Sequence, residues 1–193
     1  MKILGIDLAG SEKRKTGICL LYKKLNAKCR ILFKDKEILD LIEEERPDLI
    51  AIDAPLSLPL GRKNLRRSKI HFRKCDRELW KFGIKFFPIT LGPMRTLTKR
   101  GVKLKKILEK KGFKVIEVYP GASQDILRIP RKGEGIKRLF RGLKKLGIKG
   151  LRKNLTDDEL DAITCAHTGL LYLKKKYLGI GNKKEGKIIL PKI

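Results

Sequence analysis

Four aspartates in this sequence stand where their side chains could share one site. Asp7 and Asp53 each follow a short apolar run that predicts a buried strand. A carboxylate at the end of a buried strand costs free energy unless a cation or hydrogen-bond donors compensate it. Asp158 and Asp161 lie three residues apart near the start of a predicted helix, a spacing that places both on one face. If that face meets the strand ends, the four carboxylates converge.

Such a cluster of carboxylates is suited to divalent cations. Its mutual repulsion would be severe without them, and hard oxygen ligands favour Mg²⁺ or Mn²⁺ over zinc. Two such ions about 4 Å apart promote phosphodiester hydrolysis, since one activates a water and the other stabilises the leaving oxygen. The four aspartates therefore predict a two-metal catalytic site.

Simpler structural roles are open for some of these aspartates. Asp7 could merely begin a tight turn after its strand. Thr156 and Glu159 have the spacing of a capping box, and an acid such as Asp158 in the same first turn stabilises the helix dipole. Asp161 lies a turn further inside the helix, so capping does not account for it.

The elements predicted around the aspartates describe an α/β fold. Five strands are predicted, at residues 2–7, 16–22, 28–34, 49–53 and 114–120. The first three are joined by short turns as an antiparallel meander, and a helix at 35–46 crosses over so that the fourth strand can lie beside the first. We therefore expect a mixed five-stranded sheet flanked by helices.

The later part of the chain is predicted to cover this sheet. Further helices are predicted at residues 101–112, 134–147 and 157–177. Small residues on the aspartate-bearing stripe of the last helix would let it approach the sheet closely. The tail at 186–191 is predicted as a short edge strand, where Pro191 is tolerated.

The sequence is strongly basic. It has 48 Lys and Arg against 21 Asp and Glu, which gives a formal net charge of +27. Lys-rich thermophile proteins usually balance lysine with glutamate, and this chain does not. A field of this size attracts polyanions and makes their binding salt dependent, so nucleic acid is the predicted partner.

Much of the charge lies in a basic segment at about 56–100, which we interpret as an insertion after the fourth strand. Residues 56–114 hold 19 Lys or Arg and three acids. Aromatic residues are interleaved with these cations, and they either stack on unpaired bases or form a small core of their own. The residues predicted to contact nucleic acid are Lys13, Arg14, Arg66, Arg67, Arg73, Lys74, Arg77 and Arg95.

Other features bear on the setting of the protein. The four cysteines form no CxxC pair and are interpreted as buried free thiols in a reducing compartment. Charges interrupt every apolar run, so neither a signal peptide nor a membrane span is predicted. We expect a single domain over residues 1–193 and a cytoplasmic location.

Several motifs resemble those of a known family, domain-of-unknown-function family 429. They are IDAPLSLP at 52–59, RKCDREL at 73–79, VIEVYPG at 115–121 and LDAITCAHTGLLY at 160–172. That family is described as predicted nucleases with a ribonuclease H fold. IDLAG at 6–10 and DELDAITCA at 158–166 are similar to the RuvC-type branch of the fold.

The resemblance implies roles for individual residues. Asp7, Asp53, Asp158 and Asp161 would be the catalytic metal ligands, with Mg²⁺ or Mn²⁺ as cofactor. RuvC-type resolvases often carry Glu where this chain has Asp53, and they lack the long basic insertion. Glu117 matches an acid that recurs in the family, and it is either a further metal ligand or the partner of an arginine in the basic segment.

Two main hypotheses follow for the function. The first is a metal-dependent nuclease acting on DNA or RNA. The second is a nucleic-acid-binding protein that keeps the fold without catalysis. An enzyme acting on a small phosphorylated compound fits less well, because the positive charge would be excessive. The residues leave open whether the protein forms a homodimer, as junction resolvases do.

Overall fold

The computed structural model describes residues 1–84 and 86–192, and within them one mixed sheet of seven strands forms the centre. The strands are β1 (Lys2–Asp7), β2 (Thr16–Tyr22), β3 (Ala27–Leu32), β4 (Leu49–Asp53), β5 (Val115–Val118), β6 (Tyr177–Asn182) and β7 (Gly186–Pro191). Their order across the sheet is β3-β2-β1-β4-β5-β7-β6. The pairs β1–β4, β4–β5 and β5–β7 are parallel, and the remaining pairs are antiparallel.

The prediction of an α/β fold with a mixed sheet is confirmed, but the prediction of five strands is wrong. All five predicted strands are present, and β6 and β7 extend the sheet beyond β5. The predicted edge strand, β7, is an interior strand, because β6 pairs along its outer side. Pro191 is tolerated there because β5 pairs only with Ile188 and Ile189, so no β5 partner needs the missing N–H of Pro191.

Six α-helices and one short 3₁₀ turn lie in the described residues. The helices are α1 (Asp35–Glu45), α2 (Lys74–Lys81), α3 (Gly92–Lys110), α4 (Pro120–Ile126), α5 (Ile136–Lys145) and α6 (Asp157–Leu173). The 3₁₀ turn spans Lys132–Glu134. Helix α3 begins nine residues before the predicted start at Gly101, with Pro93 in its first turn. Helix α6 ends before the predicted residue 177, and Lys175 takes a left-handed backbone conformation just after it.

The helices cover both faces of the sheet. Helix α6 packs along β1 and β2 on one face, where its buried side chains join those of α5 in the larger core cluster. Helices α1 and α3 cover the opposite face. Within residues 1–84 and 86–192, none of the helices combines the length and the apolar composition that a membrane span requires.

The basic segment at about 56–100 is more ordered than its lack of periodicity indicates. It contains α2 and the first turns of α3. Buried Cys75, Leu79 and Ile84 pack against side chains of β6 and β7 in a third core cluster. The segment therefore packs on the β5–β7–β6 side of the sheet.

Candidate metal centre

Asp7 and Asp53 lie side by side at the carboxyl ends of two parallel strands. Strands β1 and β4 pair with Asp7 directly opposite Asp53. The residues before them are fully buried, so the register of the two strands is held by apolar packing on both faces. Asp7 and Asp53 therefore lie together at one edge of the sheet, as predicted.

Helix α6 brings the other two aspartates to the same edge by very close packing. A Cβ added to Gly17 of β2 would lie 2.0 Å from the carbonyl oxygen of Asp158, and one added to Gly5 of β1 would lie 2.0 Å from that of Ala162. Only glycine permits this approach of helix to sheet. Thr156 caps the start of the helix, because its hydroxyl accepts a hydrogen bond from the backbone N–H of Glu159 in the predicted capping box.

Gln124 fixes the orientation of Asp161. Its amide Nε2 donates to Asp161 Oδ1 at 2.7 Å and to Thr164 Oγ at 3.1 Å, and all three residues are buried. Gln124 lies on α4, the short helix that follows β5. Gln124 was not among the predicted site residues, and its position a few residues after a buried strand is the one signal in the sequence that it returns to this edge.

Lys132 places a positive charge among the carboxylates. Its Nζ lies 2.8 Å from Asp161 Oδ2, 3.9 Å from Asp157 Oδ2 and 4.0 Å from Asp7 Oδ2. The side chain comes from the 3₁₀ turn Lys132–Glu134 and is 45% exposed. Lys132 was not among the predicted site residues, since it is one of many cations between β5 and α6.

The electrostatics of the cluster are those of crowded anions. Burial, followed by repulsion from Asp161, raises the pKa of Asp7 to about 7, although Lys132 opposes this shift. Burial, repulsion from Asp7 and repulsion from Asp161 raise the pKa of Asp53 well above its ordinary value. Burial and the neighbouring Asp157 also raise the pKa of Asp158. One lysine ammonium therefore does not neutralise the negative charge gathered here.

The donor set fits a divalent cation in charge and in chemistry. Carboxylate oxygens are the ligands that Mg²⁺ and Mn²⁺ prefer, and the excess of negative charge would be relieved by such an ion. Across residues 1–84 and 86–192, no three His, Cys, Asp or Glu side chains stand ready as a ligand set around one point. At this edge the ammonium of Lys132 lies among the carboxylates instead.

The family of the chain follows from comparison with known sequences. The pattern of the family described as "Protein of unknown function (DUF429)" matches residues 5–177. The chain belongs to this family. A search of curated proteins finds no match.

The fold of this DUF429 protein is similar to that of RuvC. A structure of T. thermophilus RuvC in complex with Holliday junction substrate is 14% identical, with a TM-score of 0.52 over 91% of this chain and 96% of that chain. A second Thermus thermophilus RuvC structure is 16% identical, with a TM-score of 0.47 and the same coverage. At this identity the likeness shows only that the fold of the chain resembles that of RuvC.

Glu117 of the DUF429 chain is engaged by an arginine. Its two carboxylate oxygens accept hydrogen bonds from Arg73 at 2.6 and 2.7 Å, and one also accepts from the backbone N–H of Leu56 at 2.8 Å. Arg73 also pairs with Asp76 at 2.8 Å and is 1% exposed. Glu117 was predicted to be either a metal ligand or the partner of an arginine, and in the structure it is the partner of Arg73.

The prediction that Arg73 contacts nucleic acid is corrected by the structure, because its guanidinium is buried and offers no surface to a polyanion. We therefore leave it out of the proposed interface, and Glu117 out of the proposed ligand set. The other predicted contacts are exposed: Lys13, Arg14, Arg66, Arg67, Lys74, Arg77 and Arg95. Lys13 and Arg14 line a 410 Å³ cleft together with Asp157 and Asp158, so they lie beside the carboxylates.

Proposed function

We propose that this DUF429 protein is a metal-dependent nuclease that hydrolyses phosphodiester bonds in DNA or RNA. The observation that carries the proposal is the meeting of Asp7, Asp53, Asp158 and Asp161 at one sheet edge, with more negative charge than Lys132 neutralises. The strongly basic composition supports a polyanionic substrate. The RuvC fold supports the same reaction class by analogy.

The residues of the chain divide the work. The four aspartates would hold Mg²⁺ or Mn²⁺, which when bound supplies a Lewis acid that activates water and stabilises the leaving oxygen. Gln124 keeps one oxygen of Asp161 fixed, so that the other oxygen faces the site. Exposed cations such as Lys13 and Arg14 hold the phosphate backbone beside the carboxylates.

Cleavage of labelled nucleic acids tests the proposal. The substrates are single-stranded DNA and RNA, duplex, flap and four-way junction. Each is incubated with Mn²⁺ in two parallel reactions, one with the unmodified protein and one with Asp7→Asn. We expect cleavage of at least one substrate by the unmodified protein and loss of that cleavage to background in the variant. Equal cleavage by both proteins, or cleavage of nothing, would overturn the proposal.

Asp48→Asn is the matched control for that experiment. Asp48 immediately precedes β4, so it lies at the opposite end of the strand from Asp53, and its side chain is 58% exposed. The same change of charge there should leave cleavage intact. A similar loss in both variants would point to net charge or folding instead of the carboxylate cluster.

One observation favours a second candidate, a nucleic-acid-binding protein without catalysis. The ammonium of Lys132 already forms an ion pair within the carboxylate cluster, as a structural counterion would. This candidate predicts tight binding of nucleic acid that is insensitive to Asp53→Asn, and no uptake of Mn²⁺. Isothermal titration with Mn²⁺ separates the two, because the nuclease must bind the ion at the carboxylates.

A further inference from the structure

An apolar cavity of about 560 Å³ opens beside the carboxylates. Asp53 lines both this cavity and the carboxylate cluster. We call it the aromatic cavity, and its walls include Trp80, Phe86, Phe87, Ile89, Met94 and Tyr119. Its volume is in the range of cavities that take small organic groups.

The aromatic side chains at this cavity are partly fixed and partly exposed. Trp80 lies 5.2 Å from Phe86 and 4.9 Å from Phe72, measured between ring centroids, so it is held from two sides. It is nevertheless 51% exposed, and Phe87 is 76% exposed. Neighbouring exposed aromatics around a concave apolar surface are typical of a binding site.

Three of the charged side chains that line the cavity, Arg73, Asp76 and Glu117, are bonded to one another. All five N–H groups of Arg73 have acceptors, on Asp76, Glu117 and the hydroxyl of Ser57. This buried network braces the cavity and leaves Arg73 without a free donor. An occupant is therefore held by ring stacking and apolar contact, without hydrogen-bond readout by the arginine.

We infer that the aromatic cavity takes one unstacked nucleobase of a strand whose phosphate lies at the carboxylates. The inference rests on the proposed function for the nature of the substrate. The charged side chains of the lining itself are Asp53, Asp76, Glu117 and the paired Arg73, so charge complementarity lies with the segment around the cavity. Residues 56–114 supply most of the lining and hold 19 Lys or Arg against three acids, which suits the phosphates of the strand that carries the base. Stacking on aromatic side chains suits every base, since every base has a π face.

A base in this cavity must leave its stack, which costs least in a strand that is already unpaired. The protein should therefore prefer single strands, flaps and junction branch points over continuous duplex. This substrate class follows from the cavity and not from the carboxylates, which would act only at a phosphate group.

Trp80 provides a direct readout, because it is the only tryptophan in the chain. Its fluorescence is measured in EDTA during titration with oligothymidine, and with the same backbone carrying abasic sites in place of every base. We expect oligothymidine to quench Trp80 and the abasic strand to bind without quenching it. Equal quenching by the two strands would overturn the inference.

Phe87→Ala provides the second arm, with Phe82→Ala as its matched control. Both phenylalanines are at least half exposed, but only Phe87 lines the cavity, so neither change removes core packing. Phe87→Ala should weaken oligothymidine binding about tenfold, as expected for one lost stacking contact, and leave abasic binding unchanged. An equal effect in Phe82→Ala, or no effect in Phe87→Ala, would overturn the inference.

These measurements are independent of cleavage. Base-dependent quenching without cleavage on any substrate would contradict only the proposed nuclease. Cleavage without base-dependent quenching would contradict only the aromatic cavity as a base site.

Discussion

Lys132 places the ammonium group that offsets part of the negative charge of the carboxylate cluster. Its ammonium lies 2.8 Å from Asp161 Oδ2, an oxygen that a bound metal ion would also use. Burial by itself lowers the pKa of Lys132, but attraction by Asp161 and Asp7 outweighs it, and the pKa ends above its ordinary value. Lys132 therefore stays charged, and it must compete with any divalent cation.

Removal of this ammonium should strengthen metal binding. We expect Lys132→Met to raise Mn²⁺ affinity about five- to tenfold, because one partly screened charge about 4 Å away contributes roughly 1 kcal/mol or slightly more. Isothermal titration measures the change directly. Lys137→Met, at an exposed position on α5, is the control and should leave the affinity unchanged. Weaker binding in Lys132→Met would instead make the lysine a support of the ligand set.

Asp7 should also make stability depend on pH. Its pKa of about 7 in the folded protein exceeds its ordinary value of 3.8, so the folded state binds the proton more tightly than the unfolded chain. The stability that this proton contributes is complete below pH of about 4 and is lost as the pH rises to about 7. In EDTA, the melting temperature should therefore fall between pH 5 and pH 8.

Asp7→Asn should abolish part of that fall, since an amide does not ionise. We expect the variant to melt several degrees above the unmodified protein at pH 8, because each kcal/mol shifts a domain of this size by about 2–4 °C. Differential scanning calorimetry across the pH range measures it. Parallel melting curves for the two proteins would show that Asp7 does not carry the repulsion.

Sequence patterns located the four aspartates because their signals are local. A buried run that ends in Asp7 and a spacing of three between Asp158 and Asp161 are visible without a structure. Lys132 has no pattern of this kind, and Gln124 has only its position a few residues after a buried strand, since each acquires its role only when a short helical turn is brought to the sheet edge. Their contacts are tertiary, so no pattern of neighbours along the chain marks them.

At the scale of elements, the position of the site depends on how closely α6 approaches β1 and β2. Gly17 of β2 faces the backbone of Asp158 with no side chain between them. Small residues on α6 were predicted to permit this approach, but the matching glycines on the strands were not identified. The strand β6 was also missed, since its two glycines, Gly179 and Gly181, weaken the apolar pattern of a strand.

A methyl group at position 17 should displace the start of α6. We expect Gly17→Ala to destabilise the fold by at least about 1–3 kcal/mol and to weaken Mn²⁺ binding, because Asp158 must move. Thermal melting and metal titration measure the two effects. Gly133→Ala is the control, since a Cβ there would meet open space beside Lys132. Equal effects of the two variants would contradict the importance of close helix packing.

The ion pair between Arg73 and Glu117 joins the basic segment to β5. Replacement of Glu117 by Gln should cost about 3–5 kcal/mol of stability, because it leaves a buried arginine only partly compensated. The number of Mn²⁺ ions bound should not change if the residue is structural. Glu109→Gln, at an exposed position on α3, is the control for loss of charge. Loss of a bound ion in Glu117→Gln would restore the metal-ligand role.

At the scale of the whole molecule, the net charge of +27 should dominate affinity for nucleic acid. Binding releases counterions from the phosphates, so the logarithm of the affinity should fall linearly with the logarithm of salt concentration. If six to ten phosphates are contacted, affinity falls about 10³- to 10⁵-fold between 50 and 200 mM salt. Fluorescence anisotropy measures the slope, and Arg66→Ala with Arg67→Ala should reduce it by about two. A flat salt dependence would contradict a polyanionic partner.

The interior position of β7 has a consequence for how the protein folds. The parallel neighbours β1, β4, β5 and β7 come from residues 2 to 191, so the sheet is collected from almost the whole sequence. Such long-range pairing makes folding slow, because the chain loses the entropy of loop closure before the stabilising contacts form. The carboxylates of Asp7 and Asp161 likewise meet only when distant segments have docked. A chain still on its way to the native state therefore has no assembled carboxylate cluster, and the proposed hydrolytic activity should appear only with the completed fold.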